Sequence, residues 1–170
     1  MIRKAANSDI EQIMTIVRSA QQSLRKLGID QWQDNYPNIA SIECDIKEGV
    51  GYVFLADDTI VGYAAIVTTG EEAYNEINDQ WLYGSHYVVV HRLCVHASCH
   101  RSGIAIKLMH HAANIGRDIS LPAFRIDTHS GNIRMQSMLK KLGFRQVGIV
   151  HYSSGERVAY EIDLNSCNII

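Results

Sequence analysis

The stretch that decides the fold is Val95-His96-Ala97-Ser98-Cys99-His100-Arg101-Ser102-Gly103-Ile104-Ala105. Residues 87–95, which end where this stretch begins, are rich in β-branched side chains, and this predicts a strand. The residues after it, 102–117, carry apolar side chains at helical spacing. A strand that passes through a polar turn into a helix leaves the free N–H groups of the first helical turn beside that turn. Together with the helix dipole, these groups form an anion site suited to a pyrophosphate.

The composition of the turn is compatible with phosphate binding. Gly103 lets a phosphate approach the backbone closely, and the small side chain of Ala105 does the same. Arg101 adds a charge-assisted contact. A glycine at a helix start is also a frequent capping or packing choice, so this signal alone is modest. The chain has neither a GxxxxGK[ST] nor a GxGxxG pattern, which argues against nucleotide hydrolysis and dinucleotide binding.

The rest of the chain alternates between short strands and amphipathic helices. Ser8-Asp9-Ile10-Glu11 reads as a capping box that opens the first helix, and Asp57-Asp58 reads as a hairpin turn. The element order is β-α-α-β-β-β-α-β-α-β-β, which has too few βαβ crossovers for a wholly parallel sheet. We expect a single mixed α/β domain over 1–170, with a tail at 164–170. The predicted strands are 1–5, 52–55, 60–67, 87–95, 124–128, 146–150 and 158–164, and the predicted helices are 8–27, 39–47, 102–117 and 132–142.

Composition narrows the function classes. The formal net charge is −2, from 16 Lys and Arg against 18 Asp and Glu, which argues against a nucleic-acid partner. The apolar runs are short, as in 52–56, and none approaches the ~20 residues of a membrane span. The N-terminus lacks the apolar segment of a signal peptide. Four cysteines, at 44, 94, 99 and 167, lack the spacing of a disulfide framework, so we expect a cytoplasmic protein with reduced thiols.

Two segments at matched spacing carry a family resemblance. Residues 88–109 resemble motif A of GNAT acetyltransferases, in which an [RQ]-x-x-G-x-[GA] loop binds the CoA pyrophosphate. The chain matches it at Gly103 and Ala105 and departs from it at His100 and Arg101. A second segment resembles the D-x-x-x-x-N…K-x-G-F pattern that closes these domains. It comprises Asp127-Thr128-His129, Asn132 and Leu142-Gly143-Phe144.

The resemblance implies both a fold and an activity. The fold is a single-domain GNAT fold, a mostly antiparallel sheet with a splayed parallel strand pair, flanked by about four helices. The activity is transfer of an acetyl group from acetyl-CoA to a primary amine of a small molecule or peptide, and a homodimer is common among such enzymes. The implied contacts to the cofactor include backbone pairing along the splayed strand, where it acts as an added strand would. The implied cofactor-binding residues are Leu93, Cys94, Val95, His100, Arg101, Ser102, Gly103, Ile104, Ala105 and Asn132.

Acetyl transfer requires a neutral amine, so a base must accept a proton directly or through water. His91 is the best candidate, because an imidazole titrates near pH 6.5 and a histidine proposed as base stands at the matching place in serotonin-type GNAT enzymes. The alternative is a histidine that only hydrogen-bonds within the sheet. The usual general acid of the family is a tyrosine, but that position is Leu139 here. Its role passes to water or to one of four unassigned tyrosines, Tyr83, Tyr87, Tyr152 and Tyr160.

Histidine and cysteine cluster around the same turn, so a zinc site requires consideration. The residues concerned lie within 91–100 and include Cys94, His96 and Cys99. Strand alternation places 94 and 96 on one face and 91 on the other, and no C-x₂-C knuckle is present. The sequence therefore predicts no metal site.

Three further interpretations concern the acceptor and the activity. The aromatic residues Trp32, Tyr36 and Trp81 either line an acceptor pocket or pack loops onto the core. The acidic connection 70–85, without Lys or Arg, either attracts a cationic acceptor or only aids solubility. The alternative to an enzyme is a catalytically degenerate domain that senses acyl-CoA, which Leu139 and His100 favour.

Overall fold

The computed structural model describes residues 1–165 of the chain. Four α-helices and seven strands occur in these residues, together with short 3₁₀ turns at Asn7–Asp9, Glu72–Ile77 and Ala97–Cys99. The observed order matches the predicted one. The strands are β1 Ile2–Lys4, β2 Gly51–Ala56, β3 Thr59–Val67, β4 Tyr87–Val95, β5 Ala123–Thr128, β6 Arg145–Tyr152 and β7 Gly155–Asp163, and the helices are α1 Ile10–Lys26, α2 Ile39–Lys47, α3 Ile104–Asp118 and α4 Ile133–Lys141.

The strands form one sheet in the order β1-β2-β3-β4-β5-β7-β6. The β4–β5 pair is parallel, whereas β1–β2, β2–β3, β5–β7 and β6–β7 are antiparallel. The predicted mixed sheet with one parallel pair is confirmed. The chain divides into two compact units, and both β4 and α3 contribute to each of them. The first comprises Met1–Ile66 and Val90–Met109, and the second comprises Val67–Val89 and the residues from His110 onward.

In the first unit, α1 and α2 pack their apolar faces on β2 and β3. The β2–β3 hairpin turns at Asp57 and Asp58, with φ of 46° and 61°. Two successive positive φ values define the turn type whose twist suits a tight hairpin, as the sequence predicted. The core of this unit contains Ile13, Met14, Ile16, Val17, Ile42, Val53, Ile60, Tyr63 and Cys94, with Trp32 packed against it.

The start of α1 differs from the prediction. Ser8 does not cap the helix; Asp9 is the buried residue that organises this end of the chain. Its carboxylate accepts a hydrogen bond from the Ala6 amide at 2.8 Å and pairs with both Nη atoms of Arg3. The predicted capping box at Ser8 is wrong, because a short 3₁₀ turn precedes the helix and the first helical residue is Ile10.

In the second unit, a buried ion pair anchors the connection that precedes β4. Arg125 and Glu161, 2% and 0% exposed, bond at 2.9 Å between neighbouring strands. The guanidinium lies between the rings of Trp81 and Tyr87, 4.1 and 4.0 Å from their centroids. The other carboxylate oxygen of Glu161 accepts from the Leu82 amide. Trp81 therefore packs on the core of this unit.

The predicted tail at 164–170 lies mostly outside the described residues. Leu164 is buried, and its amide donates to the Pro122 carbonyl at 2.9 Å. The first residue of the tail is thus fixed beside β5. The single-domain assignment over 1–170 stays a prediction.

Candidate functional site

The turn between β4 and α3 has the backbone geometry of an anion cradle. Arg101 and Gly103 both adopt left-handed conformations, with φ of 65° and 79°. Left-handed residues interleaved with ordinary ones turn successive N–H groups toward one concavity. Within residues 1–165, the amides of Gly103, Ile104, Ala105 and Ile106 donate to no backbone or side-chain acceptor, since the first bond of α3 runs from the Lys107 amide. These four donors at the start of a 15-residue helix suit a phosphate group.

The space beside the Cα atom of Gly103 is open. A Cβ built at Gly103 would meet no other atom within 4 Å. The glycine therefore leaves room for a ligand rather than for a neighbouring part of the protein. Together with the free amides, this opening fits the pyrophosphate of a CoA-type molecule.

The polar side chains of the turn hold its shape. The Nε2 atom of His100 lies 3.2 Å from the Val95 carbonyl oxygen, and the Nδ1 atom of His96 lies 2.8 Å from the hydroxyl of Ser98. The Ser102 hydroxyl donates to the Cys99 carbonyl. His100, a departure from the family pattern, thus fixes the turn to the end of β4, while Arg101 is exposed.

The pairing of strand β4 with β5 covers only the first part of β4. Its parallel ladder with β5 pairs Tyr87–Val89 with Ala123–Arg125, although β4 continues to Val95. Arg92 has a φ of 55°, which is uncommon for a residue other than glycine and marks an irregularity in the strand. The predicted cofactor strand, residues 93–95, follows this point. Within it the Cys94 side chain is buried, which raises the pKa of its thiol to about 12 and leaves it unreactive.

His91 precedes the irregular residue and is half-buried. Burial, with a smaller contribution from the neighbouring Arg92 charge, lowers the pKa of His91 to about 4. The imidazole is therefore neutral at pH 7 and keeps a lone pair. The sequence prediction had assigned it an ordinary pKa near 6.5, because the burial of this side chain, the larger cause of the shift, is not visible in a strand pattern.

Sequence reasoning missed a buried polar network beside His91. The Arg92 guanidinium donates to both carboxylate oxygens of Asp45, which is 3% exposed. The hydroxyl of Tyr63 donates to the same carboxylate at 2.6 Å, and burial raises the pKa of this tyrosine, so it remains a donor. The third bond of Arg92 goes to the Tyr36 hydroxyl, at 2.6 Å. The network joins α2, β3, β4 and the loop before α2.

A second network lies in the other unit, at the end of β5. The hydroxyls of Tyr74 and Tyr152 donate to one carboxylate oxygen of Asp127, at 2.8 and 3.0 Å. Burial raises the pKa of Asp127, and the two hydrogen bonds oppose that shift. The sequence analysis treated Asp127 only as part of a motif. The strand also contains Arg125 and Thr128, so its pattern does not single out this carboxylate.

Asn132, Leu139 and two of the candidate tyrosines have defined contacts or burial in the structure. Asn132 caps α4, because its Oδ1 atom accepts from the Met135 amide at 3.2 Å, while the side-chain NH₂ has no partner within residues 1–165. Leu139 is fully buried and packs in the core. Among the candidate tyrosines, Tyr152 is bonded to Asp127 and Tyr160 donates to Gln136.

Within 1–165, no three His, Cys, Asp or Glu residues lie close enough together to hold a metal ion. No helix of the described part of the chain has the length and apolarity needed to cross a membrane.

Comparison with known proteins places this architecture in a family. Residues 12–144 match the model of the acetyltransferase (GNAT) family. A GNAT-family acetyltransferase structure from Streptococcus agalactiae is 34% identical, with a TM-score of 0.86 over 96% of this chain and 94% of that one. One from Listeria monocytogenes has 20% identity and a TM-score of 0.72 over 96% and 94% of the two chains. A ribosomal-protein-alanine N-acetyltransferase from Brucella melitensis shares the fold at 14% identity and a TM-score of 0.69, over 96% and 99%.

No curated protein matches the chain. The family match and the likeness to the Streptococcus structure nevertheless cover most of the chain. The chain belongs to the GNAT acetyltransferase family and is an acetyltransferase.

The buried network generates a stability prediction. Asp45→Asn should lower the free energy of unfolding by about 3 kcal/mol, because it leaves the Arg92 guanidinium buried without its counter-charge. Urea denaturation measures the loss. Glu43→Gln, an exposed substitution on the same helix, should stay within about 0.5 kcal/mol of the parent. Equal stabilities for the Asp45 and Glu43 variants would show that the pair contributes nothing.

Proposed function

We propose that the protein transfers the acetyl group of acetyl-CoA to a primary amine of a small molecule or peptide, by direct attack in a ternary complex. The observation that carries the proposal is the cradle of free amides at residues 103–106, with open space in front of Gly103. A pyrophosphate accepts these hydrogen bonds and lies at the positive end of the α3 dipole. Free thiols at Cys44, Cys94 and Cys99 support a cytoplasmic location.

The cofactor contacts come mainly from the backbone. Bound acetyl-CoA supplies a thioester whose carbonyl carbon is open to attack. Arg101, exposed beside the cradle, adds a cation for the phosphates. The backbone of residues 93–95 supports strand-like pairing with the pantetheine arm, because the ladder between β4 and β5 ends at Val89. The free NH₂ of Asn132 supports a further contact.

His91 accepts the proton of the attacking amine, directly or through water. During transfer, the C–N bond forms, the C–S bond breaks, and the thiolate leaves; a thiol of pKa about 8.5 leaves with only modest help. With a pKa of about 4, the imidazole is fully in its base form at neutral pH but is a weak base. It therefore acts late, when the amine nitrogen has already become acidic through bond formation.

A second candidate function is a domain that binds acyl-CoA without turnover. The fully buried Leu139 at the usual position of the general acid and the weakly basic His91 favour it. Thiol release from acetyl-CoA in the presence of a panel of amines separates the two. Release that depends on an amine supports the enzyme; CoA binding without release supports the sensor.

The cradle generates the first prediction of this proposal. Gly103→Ala should weaken CoA binding by about tenfold or more, because its methyl group adds bulk to the backbone segment that the phosphate is proposed to approach. Calorimetric titration with CoA measures the affinity. Since Gly103 has a φ of +79°, the variant also loses about 1 kcal/mol of stability.

Gly28→Ala is the matched control. Gly28 has a φ of +70° and likewise no atom within 4 Å of an added Cβ, but it lies just after α1. It should lose similar stability and keep the parental affinity for CoA. Equal CoA affinities for the parent and the Gly103 variant would mean that the cradle does not hold the cofactor.

The second prediction concerns His91. Replacing it with Ala should lower kcat about 10²-fold near neutral pH, the usual contribution of a positioned proton acceptor, with little change in CoA affinity. His86→Ala, an exposed histidine just before β4, should retain parental turnover. An NMR titration of the parent should give a His91 pKa near 4, so His91 contributes no acid limb to the rate between about pH 5.5 and 8. Unchanged kcat in the His91 variant would remove it from the mechanism.

A further inference from the structure

A groove of about 610 Å³ lies between α1 and the loop that leads into α2. It belongs entirely to the first unit. One wall carries side chains of α1, and the other is formed by the loop and the start of α2. The residues that matter here are Met14, Arg18, Gln21, Arg25, Trp32 and Pro37.

The charged side chains that line the groove are positive. Among the residues in 1–165 that line it, Arg18 and Arg25 are the only charged ones, and none carries a carboxylate. Both side chains are exposed, and neither forms an ion pair with any residue in 1–165. They lie seven residues apart on α1, a rise of about 10.5 Å along the helix. Two side chains of this length can converge on one anion at the level of Gln21, between them.

Arg25 and the opposite wall are held in place by amide side chains. The Nε atom of Arg25 donates to the Oε1 atom of Gln33 at 2.8 Å, which leaves both Nη groups available. The Gln33 side chain in turn donates to the carbonyls of Gln21 and Gln31. Gln21 donates to the Tyr36 and Pro37 carbonyls, each at 3.1 Å. The guanidinium is thus oriented before any ligand arrives, which lowers the entropic cost of binding.

The groove also has an apolar part. Met14, Trp32 and Pro37 face it together with the arginines. Trp32 is half-buried and has a φ of 65°, a conformation that a bulky side chain adopts only when its surroundings enforce it. A ligand with an anionic group and an apolar portion matches this combination of charge and surface.

The groove is connected to the candidate base. The loop that forms one wall of the groove contains Tyr36. The hydroxyl of Tyr36 bonds to Arg92, the neighbour of His91 in β4. The positions of the groove wall and of this strand segment are therefore set by a common network.

We propose that the groove binds the anionic group of the acyl acceptor, so that the acceptor is an amine that also carries a carboxylate or phosphoryl group. This assignment rests on the proposed acetyl transfer. It replaces the cationic acceptor considered from the acidic connection. Two of those carboxylates have local partners: Glu71 caps the turn at 72–77, and Glu76 bonds to His151.

Binding is tested without catalysis. Trp81→Phe leaves Trp32 as the only tryptophan, and its fluorescence reports on the groove. In this background, benzoate should quench or shift the emission at lower concentration than its neutral isostere benzamide. Arg18→Gln with Arg25→Gln should weaken benzoate binding by about tenfold or more and leave benzamide unaffected. Lys26→Gln, an exposed cation on α1 outside the groove, should bind benzoate as the parent does.

Transfer is tested with matched amines. With acetyl-CoA, 5-aminopentanoate should exceed pentylamine in kcat/KM, and phosphoethanolamine should exceed ethanolamine if the anion is a phosphoryl group. The advantage should fall about tenfold in the double arginine variant, mainly through KM, and should shrink as salt rises.

The outcomes separate this inference from the proposed function. Equal binding of benzoate and benzamide, or benzoate affinity that the double variant leaves unchanged, overturns the anion site. If amines are acetylated with a kcat/KM that depends neither on the anionic group nor on the two arginines, the acceptor assignment is wrong. The proposed acetyltransferase activity is then still supported. If the groove binds anions but no amine causes thiol release from acetyl-CoA, the proposed acetyl transfer is wrong and the anion site remains.

Discussion

The buried ion pair between Asp45 and Arg92 is the constraint on which the first unit depends. Arg92 stands where β4 departs from regular geometry, with a left-handed backbone that costs roughly 1–2 kcal/mol. A residue in that conformation persists only when its surroundings compensate, and here its guanidinium binds both oxygens of a buried carboxylate and the Tyr36 hydroxyl. Asp45 lies on α2 and also accepts a hydrogen bond from Tyr63 on β3, while Tyr36 lies in the loop before α2, so this network fixes four segments at once. Burial is the main cause of the lowered pKa of His91, and the Arg92 charge adds a smaller contribution in the same direction.

The sequence predicted the order and type of the elements well, because their signals are local. Apolar periodicity in α1 and α3, β-branched runs in β4 and the Asp57-Asp58 turn each involve neighbouring residues. The cradle was predictable for the same reason: a strand, a polar turn with Gly103 and a helix are contiguous in the chain. The start of α1 was wrong, since Asp9 is engaged by Arg3 and Ala6 rather than acting within a Ser8 capping box.

Features made by residues distant in sequence were not predictable. Asp45 and Arg92 are separated by 47 residues, and Asp127 and Tyr74 by 53. No local pattern marks such pairs, and a buried Asp in an amphipathic helix such as α2 reads as an ordinary polar position. The depressed pKa of His91 depends on the same distant packing.

Backbone and side chains divide the chemistry of this enzyme between them. The cradle presents amide groups, so His100 and Arg101 can depart from the family pattern as long as Gly103 keeps its left-handed conformation. A site built from amides accepts any sequence that folds the same way, and in the proposed function it holds the pyrophosphate, which every CoA thioester carries. The groove beside α1 uses arginine, glutamine and tryptophan side chains, which single substitutions alter without disturbing the cradle. Acceptor choice can therefore diverge between relatives that share this fold while cofactor recognition stays constant, which is why the acceptor must be inferred from the side chains of this chain alone.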